Sequence, residues 1–100
     1  MCSNIIEQAN IFGSGKGAQG WFELRQANVY YDHPFHAPLD HALTIDFVNH
    51  DLGPSARVAV EMTADSAREL VRCIEAALAA GAEAHLSEGP MVAISVKSMP

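Results

Sequence analysis

One hundred residues, 49% hydrophobic and 18% charged, suit a single globular domain and exclude an intrinsically disordered chain. The net charge of −6, with basic residues scattered at Lys16, Arg25, Arg57, Arg68, Arg72 and Lys97, excludes a surface that tracks nucleic-acid phosphates and disfavours an anionic membrane. Two cysteines, Cys2 and Cys73, are too few for a disulfide framework, and no apolar run reaches membrane-spanning length.

The opening M-C-S-N-I-I-E-Q has neither a basic start nor a long apolar run, so it does not read as a secretory signal. The expectation is a reducing, cytoplasmic location. A chain this short buries a modest share of its surface alone, so a homo-oligomer is expected.

Residues 4–12 are Ile-rich and alternate imperfectly, which predicts a first strand. Gly13–Gly20, G-S-G-K-G-A-Q-G, reads as a flexible hairpin loop. It is not a phosphate-binding loop. The first glycine of that spacing is missing, Gly17 stands where Ser or Thr would hold Mg²⁺, and a strand pattern follows instead of a helix. Trp21–Tyr31 is rich in aromatic and branched residues and predicts a second strand.

Asp32–His41, D-H-P-F-H-A-P-L-D-H, holds three of the five histidines, two aspartates and two prolines. Pro34 and Pro38 fix their own φ and bias His33 and Ala37 away from helix, so an ordered, extended loop is expected. His41–His50 is the cleanest strand. His41, Leu43, Ile45 and Phe47 share what reads as the core face; Ala42, Thr44, Asp46 and Val48 share the other. After a turn at 51–55, a fourth strand spans Ala56–Met62, with Arg57 and Glu61 outward and Arg57 near enough to pair with Asp46. Thr63 reads as a helix N-cap, with Asp65 in the first turn. Ala67, Leu70, Val71, Ile74, Ala77 and Leu78 then recur at helical spacing up to a C-terminal cap at Gly81. Met91–Lys97 reads as a fifth or edge strand, and 86–100 is a weakly patterned tail. The expected fold is therefore α+β: a small antiparallel sheet of four to five strands with one amphipathic helix packed on one face, one domain over 1–100.

The histidine segment carries the chemistry. The spacing H-x2-H-x4-H, with His41 at a strand mouth and His33 and His36 on the bend before it, allows three nitrogens to converge on one ion. His33, His36 and His41 are thus the candidate metal ligands. Cys2 is a further one, through its thiol and an exposed terminal amine once the initiator Met is removed. Asp32 and Asp40 are candidates for orienting a ring or moving a proton, and Tyr31 offers a hydroxyl beside the loop. Mixed nitrogen and carboxylate ligands favour Zn or Fe; a Cys2 ligand would admit Ni or Cu. His50 and His85 read as solvated, and Cys73 as a small packing residue.

The runs G-W-F-E-L, V-Y-Y-D-H-P-F-H-A-P-L-D-H, L-T-I-D-F-V-N, A-R-V-A-V-E and S-A-R-E-L-V-R-C-I-E-A-A-L resemble a family of short actinobacterial proteins known as a domain of unknown function. The D-H-P-x-H-A-P-L-[DE]-H core is the most specific part, and Cys2 fits the family's opening. The resemblance covers roughly Met1 to His85 and implies that the histidine segment is a family feature. It brings no activity with it.

The expected function is that of a small cytoplasmic metal-binding protein, a metal-dependent enzyme acting on a small organic metabolite. The rival is a metal-free small-molecule binding or accessory module whose pocket draws on Trp21, Phe22, Tyr30, Phe35 and Phe47. A third expectation is a purely structural oligomer, in which the histidines do nothing beyond packing.

Overall fold

A computed structural model describes residues 5–86. Cys2 and the expected strand at Met91–Lys97 lie outside those residues. In chain order the elements are β1 (Ile6–Gly17), β2 (Gly20–Asp32), β3 (Ala42–Val48), a 3-10 turn at His50–Leu52, β4 (Arg57–Met62) and α1 (Ala64–Glu83). The strands form one antiparallel meander in the order β1-β2-β3-β4, so the chain is an α+β protein. By its contacts it divides into two compact units, Met1–Glu69 and Leu70–Pro100.

The glycine-rich stretch is strand, not loop. β1 runs through Gly17, and the reversal is confined to Ala18 and Gln19, with Gly20 at φ +114° where a side chain would be strained. The reason lies in the register. Asn10 pairs with Gln26 and Gly13 with Leu24, so one extra residue is bulged out of β1 and Phe12 is left 96% exposed. The bulge reverses the parity of the strand. Gly13, Gly15 and Gly17 therefore fall on the same face as Phe22 and Leu24. A Cβ on Gly15 would sit 3.1 Å from Leu24 Cδ2, and one on Gly17 would sit 3.1 Å from the Phe22 ring and 3.8 Å from the Arg57 carbonyl. The sheet coils so tightly here that its two edges, β1 and β4, approach one another, and the alternate glycines make room.

This coiling decides which face is inside. Register places Tyr30, Thr44 and Glu61 on one face with Asn28 and Asp46, and Tyr31, Leu43 and Met62 on the other with Val29 and Ile45. The expectation put Leu43, Ile45 and Phe47 in the core. Instead Ala42 (0%) and Val48 (7%), their alternates on β3, are the buried ones, and Leu43, Ile45 and Phe47 are half-buried. Leu24, Ala27 and Ala56 complete the buried apolar set among the described residues. Removing a leucine or valine side chain from water contributes about 1.5–3 kcal/mol, and Leu24 and Val48 are the larger buried apolar side chains among the described residues. Asn49 is buried too, but satisfied: its Nδ2 donates to the Glu23 carbonyl at 3.0 Å and its Oδ1 accepts from the Asp51 N–H at 3.1 Å. It ties the end of β3 to β2 and caps the 3-10 turn.

The helix starts as expected. Thr63 Oγ1 accepts the Ser66 N–H at 3.0 Å. It ends later. Gly81 lies inside α1, and the left-handed residue is His85 at φ 59°. The Leu86 N–H bonds the Gly81 carbonyl and the His85 N–H bonds the Ala82 carbonyl, at 3.0 and 3.1 Å, which is the Schellman pattern. None of the residues of α1 is buried, and its apolar positions Leu70, Val71, Ile74 and Leu78 are exposed. Among the described residues no helix is long and apolar enough to cross a membrane.

Candidate metal centre

The loop from His33 to His41 leaves the end of β2 and returns to the start of β3, whose last and first residues, Asp32 and Ala42, pair across the sheet. The two prolines hold it extended, and three sets of polar contacts fix its path. At its start, Asp32 Oδ1 accepts the His33 N–H at 2.7 Å. In its middle, the Glu61 carboxylate of β4 accepts three successive backbone N–H groups: Phe35 on Oε2 at 2.6 Å, and His36 and Ala37 on Oε1 at 3.1 and 2.9 Å. Near its end, the Leu39 N–H closes a tight turn onto the Ala37 carbonyl at 2.8 Å. The Glu61 carboxyl is held below the usual glutamate range, chiefly by the Ala37 N–H and then the Phe35 N–H, with smaller help from the backbone and ring of His36. It is the anchor that folds the loop back over the Tyr30–Thr44 face.

Asp40 organises the two histidines at the loop's ends. His33 Nδ1 lies 2.8 Å from the Asp40 carbonyl oxygen, and His41 Nδ1 lies 2.9 Å from Asp40 Oδ2. Both oxygens can only accept, so both Nδ1 atoms carry the proton, and in the neutral rings the lone pair sits on Nε2. The two rings stand with centroids 4.5 Å apart, tilted by 34°. Tyr31 stacks against His41, with centroids 5.9 Å apart and planes 18° from parallel.

One donor atom from each of His33, Asp40 and His41 falls within a set whose members all lie within 4.8 Å of one another. Donors around a tetrahedral ion with bonds of about 2.0–2.2 Å stand roughly 3.4 Å apart. The group is therefore wider than an ion needs, and the three side chains would have to draw together to hold one. His33 and Asp40 are exposed and His41 is half-buried, so an ion here would keep access to solvent or to a ligand.

The expected site residues are thus divided by the structure. His33, Asp40 and His41 come together; Tyr31 supports His41 by stacking; Asp32 holds the backbone of His33. His36 is not part of the three-residue group, and its N–H is turned to Glu61. The expected Asp46–Arg57 pair forms, at 2.8 Å. Sequence reasoning missed Glu61. It is 24 to 26 residues from the amides it binds, and nothing local marks one outward glutamate on a strand as the anchor of a distant loop.

The family model described as a family of unknown function (DUF6295) matches residues 1–88, and the chain belongs to that family. Among curated proteins no match is found. Nor does any solved structure match.

Proposed function

We propose that this DUF6295 protein holds a divalent transition metal between His33, Asp40 and His41, and uses it as a metal-dependent enzyme on a small organic metabolite. The observation that carries this reading is the convergence of His33, Asp40 and His41, with one donor atom from each within 4.8 Å of the others. Two nitrogens and one carboxylate oxygen suit Zn²⁺ or Fe²⁺ and leave coordination positions open. An ion so held supplies Lewis acidity or a water of lowered pKa. Asp32 and Tyr31 then keep supporting roles, fixing the His33 backbone and the His41 ring. Cys2 as an added ligand would bring in Ni or Cu. We place the protein in the cytoplasm, as a homo-oligomer; among the described residues no large side chain is fully buried in the single chain, and a second copy would cover more.

The test is metal uptake by untagged protein, read by calorimetry with Zn²⁺ and by the visible spectrum with Co²⁺. One ion per chain is expected, lost in His41→Ala and in His33→Ala. Uptake that neither substitution changes, or no uptake above the dialysis background, overturns the reading. A second reading, a metal-free small-molecule binding module, is favoured by one observation: an open groove that runs from His33 along the Tyr30–Thr44 face.

A further inference from the structure

The inner face of the coiled sheet is polar where packing alone would call for apolar groups. Ala42 and Val48 are buried on it, yet Thr44 and Asp46 stand between them on the same face of β3. Register sets Tyr30 directly across from Thr44, and Asn28 directly across from Asp46. Asn28 is 6% exposed, and its Oδ1 has no hydrogen-bond partner among the described residues. A buried acceptor left unpaired has lost its water without compensation, and it calls for a donor from outside the chain. The Asp46 side chain is 14% exposed; its Oδ1 accepts from Arg57 Nη2 at 2.8 Å, and among the described residues its Oδ2 has no partner.

These residues floor the open groove, whose volume is about 600 Å³ and whose lining includes Tyr30, Asp32, Phe35, Thr44, Asp46 and Arg57. That is within the range of small-ligand sites, roughly 300–1,000 Å³. Its charge is unbalanced. Asp32 and Asp46 face Arg57 alone, and Arg57 is already paired with Asp46. One negative charge is left over, so a monocation is balanced there and an anion is repelled. Two aromatic rings add to the preference, Tyr30 in the floor and Phe35, 93% exposed, at the rim; ring faces attract cations and flat apolar bodies alike. The two kinds of group are separated along β3. Asp46 lies two residues, about 7 Å, further from the loop than Thr44, so the acceptors are at one end of the groove and Phe35 and His33 at the other.

We propose that this groove binds a small primary amine as its ammonium ion, the N–H groups on Asn28 Oδ1 and Asp46 Oδ2, a flat apolar body over Tyr30 and against Phe35, and the far end beside His33. This names the substrate class for the metal site described above, with the positive head held away from the ion. It rests on that reading for the reaction, but not for the binding, since Asn28, Asp46 and Tyr30 are not among the proposed metal ligands.

The probes are 2-phenylethylamine, its neutral analogue 2-phenylethanol and its anionic analogue 3-phenylpropanoate. Each is titrated at neutral pH into the full-length protein and followed by amide and side-chain NMR, with and without Zn²⁺. The amine should shift the signals of Asn28, Tyr30, Thr44 and Asp46, and bind at least tenfold more tightly than the alcohol or the acid. Asp46→Asn, which keeps an oxygen for Arg57 but removes the charge, should weaken the amine tenfold or more and leave the alcohol unchanged. Asn28→Leu, which fills the same space without the acceptor, should weaken the amine at least threefold. Should either variant fail to fold, the ratio of amine to alcohol affinity in the native protein still decides. His41→Ala should abolish Zn²⁺ uptake yet leave amine binding within about threefold, so failure of the metal centre and failure of the groove give different results. No binding of the amine, equal binding of amine and alcohol, tighter binding of the acid, shifts confined to residues outside the groove, or amine binding lost together with Zn²⁺ in His41→Ala would each overturn the proposal.

Discussion

Gly15→Ala measures how tightly the sheet is coiled. The new methyl would meet three atoms of Leu24, at 3.1, 3.3 and 3.4 Å. Leu24 is 8% exposed, so it has little room to withdraw. Forcing an extra carbon into packed surroundings costs about 1–3 kcal/mol. Against this, alanine restricts the unfolded chain and returns about 0.4–1 kcal/mol. Gly15 is not at positive φ, so no backbone strain is added. The net expectation is a loss of about 1–2 kcal/mol, which for a domain of this size lowers Tm by roughly 5–15 °C. Two neighbours act as internal controls. A Cβ on Gly13 meets nothing within 4 Å, so Gly13→Ala keeps only the unfolded-state gain. On Gly17 the methyl meets the Phe22 ring, which is half-exposed and can turn aside, so its effect is intermediate. Urea titrations followed by Trp21 fluorescence should rank the midpoints Gly13→Ala above Gly17→Ala above Gly15→Ala. If Gly15→Ala is as stable as the parent, or Gly13→Ala is the worst of the three, the coiled-sheet account of the glycines is wrong.

Three other perturbations bear on the loop and the helix. Glu61→Gln leaves one acceptor oxygen for N–H groups now shared between Oε1 and Oε2, so at least one of Phe35, His36 and Ala37 must face an amide NH₂; metal affinity should fall about tenfold through the loosened loop, and unchanged affinity with altered loop amide shifts would show that the anchor does not position the site. Because the Glu61 carboxyl is held below its usual range by the amides of Ala37 and Phe35, its contribution is complete above the unfolded glutamate value of roughly 4.3 and is lost as pH falls through the lower folded value. The carbon signal of the Glu61 carboxylate should therefore titrate with its midpoint below that of an ordinary glutamate; a midpoint at or above the ordinary value refutes the clamp. Thr63→Ala removes the acceptor for the Ser66 N–H and should cost about 1 kcal/mol, visible as lost helicity at 222 nm; no change would mean that the first turn is held by something else.

Element type was legible wherever one period dominated. β3 and the body of α1 follow from alternation and from helical spacing, and Thr63 caps as its position implies. Two readings failed for one reason, that glycine has more than one use. Gly13–Gly17 alternate with Ser14 and Lys16, a period of two that belongs to a strand, but glycine density is also what marks a loop. Gly81 is a good helix terminator on composition, but two more residues continue the helix, and His85 takes the left-handed position instead. The choice of buried face failed differently. Alternation separates two faces without saying which is covered, and here the cover comes from the far end of β1 and from the loop tied to Glu61, neither visible within β3.

At the site, local spacing and long-range anchoring divide the work. His33 and His41 meet because Asp40 offers two different groups to them. The bond from His33 goes to a backbone carbonyl and does not depend on what side chain stands at 40, whereas the bond from His41 needs the carboxylate. The first therefore reports the fold of the loop and the second the identity of the residue. His36, equally spaced in the sequence, is drawn away because its N–H joins those of Phe35 and Ala37 on Glu61. A run of three histidines thus yields two candidate ligands and one loop anchor, and the carboxylate that sorts them lies on another strand. Spacing alone treats the three as equivalent; what distinguishes them is which polar backbone groups the returning chain had to satisfy.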